Sequence, residues 1–360
     1  MPGKALVEDN FALPGPVSTI TSLGSGHIHD TFVVTCSDRS GSSYVLQRFN
    51  HRVFQYPEQV MNNIDKVLRH LDKPCGLQKI EVIRTKDDKL LYRSAQGVYW
   101  RMFTYLENSE AIDQLLRPVQ ATAAARAFGA FINAMEAIDP NELFVTIPDF
   151  HNLPARFDKF KSVLSSTSQQ RRSSSGPLVD WVLSREIRVE QLAKFLNHPQ
   201  IPIRVTHNDT KINNALFKKG TNQAIAVIDL DTVMPGLLLY DFGDMARTFC
   251  SSAFEEESPE PPEFRTDYFK ALCEGFFSSF KQQISPEELA SIEAGPWWMT
   301  FIMGIRFLTD YLEGDVYYKT THPMQNLARA KNQLDLLIDI EKKQESINLA
   351  IRQQVNQNYS

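Results

Sequence analysis

The chain has 360 residues, 42% hydrophobic and 11% aromatic, with a formal net charge of −5. That length exceeds one ordinary core and predicts a two-part molecule, while mild acidity without a basic stripe gives no reason to expect a nucleic-acid partner. Cys36, Cys75, Cys250 and Cys273 lack metal-ligand spacing, no apolar run could span a bilayer, and Met1 to Asn10 has no signal-peptide core, so a cytoplasmic protein with reduced thiols is expected.

After a loose start over Met1 to Asp9, β-type segments are predicted at Ser18–Leu23, Thr31–Thr35 and Tyr44–Phe49. Gly24-Ser25-Gly26-His27 joins the first two, and glycines there let backbone N–H groups approach a phosphate. The third glycine of G-x-G-x-x-G is replaced by His29, and no G-x-x-x-x-G-K-[ST] occurs anywhere. On the third strand, where a kinase carries its phosphate-pairing lysine, stand Gln47 and Arg48. Pro57–Leu71 has the apolar spacing of a helix, and Ile80–Arg84 and Gly97–Tyr105 read as further strands. Glu58 and Asp65 are the helix acids that could face a cleft, although solvated surface charge is the simpler reading. The last strand runs into a linker in which Thr104 and Leu106 are candidate adenine-binding backbone positions.

From Ala111 the texture turns helical. Helices are expected over Val119–Ile138, Phe157–Leu164 and Leu178–Asn197, with the Ser-rich stretch 162–176 as an exposed loop. The central stretch, Arg204 to Val233, holds His207-x-Asp209, Asn214 five residues after that aspartate, and an apolar run Ala224–Leu230 carrying Asp229. Ala215–Phe217 and the later run form a hairpin across Lys218–Asn222, bringing Asn214 and Asp229 to one end. This is the spacing of a kinase catalytic loop: an Asp takes the acceptor proton, and an Asn and a second Asp hold Mg²⁺. Lys211 adds a cation where charge develops on the transferring phosphoryl group. Asp241 reads as a cap or as an orienter of this loop, with Asp244 in the first turn of a helix, and Glu255–Glu263 as a surface loop. Three helices close the chain, Asp267–Gln283, Pro286–Leu312 and Leu327–Gln354. Within the second, Arg306 and Asp310 are spaced for an i,i+4 pair, while Arg306 and Tyr317 are equally candidates for a substrate wall. Trp297 and Trp298 read as core.

Gly26-His27-Ile28, Val205 to Lys211, Ile228 to Thr232 with Met234-Pro235-Gly236, Tyr240 to Asp244, and Arg306 through Asp315 together resemble the aminoglycoside phosphotransferase-like kinases. Within that group they are most similar to N-acetylhexosamine 1-kinases. The resemblance implies an α+β, bilobal, protein-kinase-like fold: a small β-rich nucleotide-binding lobe over 1–107 and a larger helical lobe over 108–360. It implies phosphorylation of the C1 hydroxyl of N-acetylglucosamine or N-acetylgalactosamine by ATP with Mg²⁺. It makes Asp209 the base, Asn214 and Asp229 the magnesium ligands, and His27, Arg306 and Tyr317 the sugar pocket. Two positions depart from the wider kinase pattern, Gln47 in place of lysine and the missing third glycine, and Arg48 or Lys211 would have to make up the phosphate contact. The rivals are a same-fold kinase for choline, homoserine or an aminoglycoside, and a nucleotide-binding pseudokinase.

Overall fold

A computed structural model describes residues 1–24, 28–38, 41–71, 75–255 and 260–359. The first part of the chain is an antiparallel sheet. Strands β1 (Val17–Ser22), β2 (Asp30–Cys36) and β3 (Ser43–Phe49) follow a short helix α1 (Lys4–Asn10). Helix α2 (Pro57–His70) precedes β4 (Val82–Ile83), β5 (Tyr92–Arg93) and β6 (Tyr99–Thr104), and the sheet order is β1-β2-β3-β6-β4 with β5 also on β6. Alternation along β3 and β6 sorts their side chains onto two faces. Tyr44, Leu46, Trp100 and Met102 pack with Val7 of α1 and with Phe11 just after it, whereas Phe49 and Phe103 join the main core beneath. The amino terminus is therefore not loose: Val7 and Phe11 make α1 the lid of that outer cluster.

The chain then crosses through β7 (Ser109–Ala111), which pairs with a later hairpin, into α3 (Pro118–Ala134), α4 (Leu153–Leu164), α5 (Gln169–Leu183) and α6 (Glu186–Ala193). Most of the Ser-rich stretch expected as a loop lies in α5. Ser168 caps that helix by accepting from the Arg171 N–H at 3.4 Å, and the Arg171 side chain reaches Asp315 at 2.8 Å. Next come β8 (Arg204–Thr206), the hairpin β9 (Ala215–Lys218) and β10 (Ala224–Val227), and β11 (Met234–Gly236), which returns against β8. Helices α7 (Leu238–Cys250), α8 (Thr266–Ser279), α9 (Pro286–Glu313) and α10 (Gln325–Tyr359) complete the larger, helical lobe. Trp297 and Trp298 are fully buried in its core.

Two close fits fix the floor of the site. A Cβ on Gly243 would fall 2.3 Å from the Gly295 carbonyl oxygen, so α7 and α9 cross at backbone contact and α7 is held in one position. From α2, the Asn63 amide donates to the carbonyls of Phe144 and Val233 at 2.8 and 3.0 Å, tying that helix to the lobe below.

Candidate active site

β8 ends at Thr206 and delivers His207 to a loop whose backbone hangs on one carboxylate. Asp241, in the first turn of α7, accepts the N–H groups of His207 (2.8 Å) and Asn208 (2.6 Å), while Thr210 donates its hydroxyl to the Asp241 carbonyl at 2.7 Å. Burial raises the Asp241 carboxyl to about 7, with Asp244 and Asp209 adding to it against those two N–H donors. Asn208 occupies the left-handed region at φ 64°, and its amide donates to the Thr206 and Thr232 carbonyls. Such a backbone persists only where surrounding bonds over-determine it.

His207 joins the two halves of the site. Its Nδ1 accepts the Asp209 N–H at 3.3 Å, so the proton sits on Nε2, which donates to the Ile228 carbonyl at 2.9 Å. The hairpin adds the second tie, since Ile228 N–H donates to the Asn214 carbonyl at 2.9 Å, one step beyond the Ala215–Val227 pair. Asn214 and Asp229 therefore lie at the same end of the hairpin, Asn214 opposite Ile228 and Asp229 one residue on. β10 stops at Val227, however, and Asp229 is not on the strand but in a left-handed turn at φ 61°. The Asn214 amide donates to the backbone carbonyl and to Oδ2 of Asp209, at 2.8 and 3.1 Å. Lys211 Nζ meets the other oxygen of Asp209 at 2.9 Å.

Charge is unevenly spread here. Burial tends to raise the Asp209 carboxyl, but Lys211 outweighs it and holds Asp209 below the usual range; burial likewise works against the Lys211 charge, and Asp209 outweighs it. Asp229 is open to solvent yet walled by protein. Low-dielectric surroundings, then Asp231 and Asp209, lift its carboxyl to about 7.

Beyond Asp209 lies a wall built by α9 and the turn after it. The Asp310 carboxylate accepts the backbone N–H groups of Val316, Tyr317 and Tyr318 at 2.7–3.0 Å and the Asn326 amide at 2.8 Å. It does not pair with Arg306. The Arg306 guanidinium lies over Phe150 at 4.7 Å, with Tyr318 and Tyr317 at 5.7 and 5.9 Å, and its only polar bond among the described residues goes to Met303 sulfur. The Tyr318 hydroxyl is buried without a partner among the described residues, and burial pushes it up to about 12. Nearby, Arg247 binds Asp244 through Nε (2.9 Å) and Nη2 (2.7 Å), and also Glu255 and Gln333. Glu255, expected on a surface loop, is thus part of this wall.

On the nucleotide side, Gly24 turns at φ 65° between β1 and β2; Gly26 and His27 lie outside the described residues. Gln47 faces the cleft, whereas Arg48 projects from the opposite face and pairs with Asp30 across β2. Consecutive strand residues cannot both reach one cleft, so Arg48 is not brought to the site. Thr104 is engaged with Glu81 through both its N–H and its hydroxyl, each at 2.9 Å. The Leu106 N–H has no partner among the described residues, and the Leu106 carbonyl accepts the Ser109 hydroxyl. The residue that sequence reasoning passed over is Arg101, buried on β6. A guanidinium in an apolar central strand must find a carboxylate, and that rule alone would have singled it out.

A family model described as "Phosphotransferase enzyme family" matches residues 19–279. Among solved structures, an aminoglycoside phosphotransferase from Alicyclobacillus acidocaldarius superposes with a TM-score of 0.60 at 14% identity, covering 99% of this chain and 97% of that one. A spectinomycin phosphotransferase, solved with ADP and spectinomycin, gives 0.58 at 13% identity, covering 95% and 97%. A choline kinase from Cryptosporidium parvum gives 0.54 at 15%, covering 94% and 92%. The bilobal kinase-like fold is shared by all three. No helix among the described residues is long and apolar enough to cross a membrane.

Proposed function

The chain belongs to the phosphotransferase enzyme family, and from that premise we propose that the alcohol it phosphorylates is the C1 hydroxyl of an N-acetylhexosamine, either N-acetylglucosamine or N-acetylgalactosamine, with ATP as donor and magnesium as the ion. The observation that carries the acceptor assignment is Arg306. Its guanidinium stands unpaired among the described residues, between Phe150, Tyr317 and Tyr318 and within the field of Asp209. Flat aromatic faces suit a sugar ring, and a free planar donor suits the carbonyl of an acetamido group. A cationic acceptor would want an unpaired carboxylate there. Of the acids near this wall, Asp244 and Glu255 are instead bonded to Arg247, and Asp310 is taken up by the N–H groups of Val316, Tyr317, Tyr318 and Asn326.

The donor set at Asn214 and Asp229 fits magnesium. It offers hard oxygens only, and the Asp229 carboxyl, displaced upward by burial and then by Asp231 and Asp209, would be held ionised by a bound cation. Such an ion, held by the side-chain Oδ1 of Asn214 and the Asp229 carboxylate, would screen the charge of the triphosphate.

The chain's own residues do the rest. Asp209 accepts a hydrogen bond from the C1 hydroxyl and fixes its oxygen in line with the γ-phosphorus. As the bond from that oxygen to phosphorus forms and the bond to the β,γ-bridging oxygen breaks, the hydroxyl proton passes to Asp209 and ADP departs. Lys211, kept protonated beside Asp209, sets positive charge against the equatorial oxygens. With a loose transition state, positioning outweighs base strength. A panel of N-acetylglucosamine, N-acetylgalactosamine, glucosamine, glucose, choline and homoserine, read by ADP release, tests the assignment. Turnover confined to the two acetamido sugars supports it, and turnover of an amino alcohol with none of the acetamido sugars refutes it.

A further inference from the structure

Gln47 and Arg101 are register partners on β3 and β6. Arg101 Nε donates to Gln47 Oε1 at 2.9 Å, and the Gln47 amide donates to the Thr31 hydroxyl at 3.2 Å. The guanidinium lies between the rings of Phe49 (4.9 Å) and Phe103 (5.2 Å) and donates to Met61 sulfur of α2 at 3.7 Å. Both of its terminal nitrogens bind Asp231, Nη2 to Oδ2 at 2.8 Å and Nη1 to Oδ1. The same carboxylate receives His29, from the loop between β1 and β2. The His29 Nδ1 accepts the Asn50 N–H at 3.0 Å, so Nε2 carries the proton toward Asp231. Arg101 is 2% exposed and Asp231 3%. Two elements of the upper lobe, β6 through Arg101 and the β1–β2 loop through His29, thus converge on one side chain of the lower lobe, two residues beyond Asp229.

A kinase aligns its lobes through a lysine on the third strand and a glutamate on the following helix. Neither partner is in place here. Position 47 is glutamine, Glu58 is exposed, and Asp65 is taken by Arg69 and Arg84 on the outer side. A lysine at 47 would set its charge against the Arg101 guanidinium. We propose that Arg101 and Asp231 are positioning residues for phosphoryl transfer, their buried pair fixing the height of the β-lobe over the Asn214–Asp229 turn in place of the strand lysine. The proposal rests on the phosphotransferase family alone and not on the identity of the acceptor. Stability by itself gives a poor account of the pair, because a buried bidentate pair is commonly matched in stability by apolar side chains of similar volume.

That last point supplies the test. Removing one partner strands a buried charge, so the variant to make is Arg101→Met/Asp231→Leu, studied in the full chain by thermal melting and by calorimetric titration with adenosine and with Mg-ATP. The expected result is a melting midpoint near that of the parent and unchanged adenosine affinity. Mg-ATP binding should weaken about tenfold and the phosphorylation rate of N-acetylglucosamine fall about a hundredfold, as displacement of a positioned triphosphate would cause. Mg-ATP affinity equal to the parent's, or adenosine and Mg-ATP weakened in parallel, overturns the proposal. Arg101→Lys, which returns one charge to Asp231, should recover part of the Mg-ATP affinity; a lysine variant no better than the methionine–leucine one counts against it. Should the parent fail to phosphorylate N-acetylglucosamine, the acceptor assignment falls while the two titrations still judge the clamp.

Discussion

Arg101 and Arg306 are both guanidinium groups set among aromatic rings, one above the cleft and one beyond Asp209, yet only Arg101 has a carboxylate. Around Arg101 every polar group in reach is matched: Gln47 takes Nε, Asp231 takes both terminal nitrogens, and His29 completes Asp231. Burial works against the Asp231 charge, but Arg101 and then His29 outweigh it and hold the carboxyl far below its usual range. Around Arg306 and Asp229 the reverse holds. Among the described residues a guanidinium lacks an acid and a tyrosine hydroxyl is buried unbonded, and a carboxyl is crowded by two others. Satisfied buried charge is framework, whereas unsatisfied charge facing a cleft is kept for a ligand.

The comparison is broken most severely at Asp209, which is bonded to Asn214 and Lys211 and lies within the field of Arg306. Asp209→Asn should lower kcat by about 10³-fold, the range of a positioned general base, with Mg-ATP affinity within about threefold of the parent. Rapid-quench turnover beside equilibrium nucleotide binding measures both. Retention of full kcat would remove Asp209 from the chemistry.

Arg306→Lys sharpens the contrast on the acceptor side. Lysine keeps the charge but loses the planar fork and its stacking on Phe150. The KM for N-acetylglucosamine should rise about 10- to 100-fold, the worth of one charged hydrogen bond, with the ATP KM unmoved. An unaltered sugar KM would place the acceptor elsewhere. Asp310→Asn is milder. It sets an amide NH₂ against backbone donors of Val316, Tyr317 and Tyr318, loosening the turn that carries both tyrosines. The sugar KM should rise roughly fivefold with kcat within about twofold.

How far the sequence foretold these regions follows from the span of each interaction. The hairpin that joins Asn214 to Asp229 closes within a few residues, so its spacing could be read directly, and Asp241 was open to reading as a cap or as the loop's orienter, of which its bonds to His207 and Asn208 select the second. The clamp was not readable, because Arg101 and His29 reach Asp231 across 130 and 202 residues. Helix α5 escaped for another reason. Serine is a middling helix former, and what makes 169–183 helical is the Ser168 cap together with packing of Val179 and Val182 against the core. Arg48 and Gln47 could have been told apart at once, since alternation sends neighbours on a strand to opposite faces.

An effect on stability and not on turnover concerns His151, whose ring supports the catalytic loop from behind by donating Nε2–H to the Asn208 carbonyl at 2.8 Å. Its Nδ1 is buried without a partner among the described residues, and burial lowers its pKa to about 3 from an ordinary 6.5. The unfolded chain therefore takes up a proton below pH 6.5 that the folded chain refuses until pH approaches 3. Across that window the His151 contribution to stability falls with pH by about 1.4 kcal/mol per unit. Asp229 and Asp241, both lifted to about 7, bind protons more readily folded than unfolded and act in the opposite direction. The parent's own profile is thus a balance, and only a difference isolates the histidine. Chemical denaturation of the parent and of His151→Gln, which keeps an amide donor for Asn208, should give stability curves that converge as pH drops from about 6 to 4. Parallel curves would mean that His151 takes up its proton inside the folded protein, and that the loop behind Asn208 is open to water.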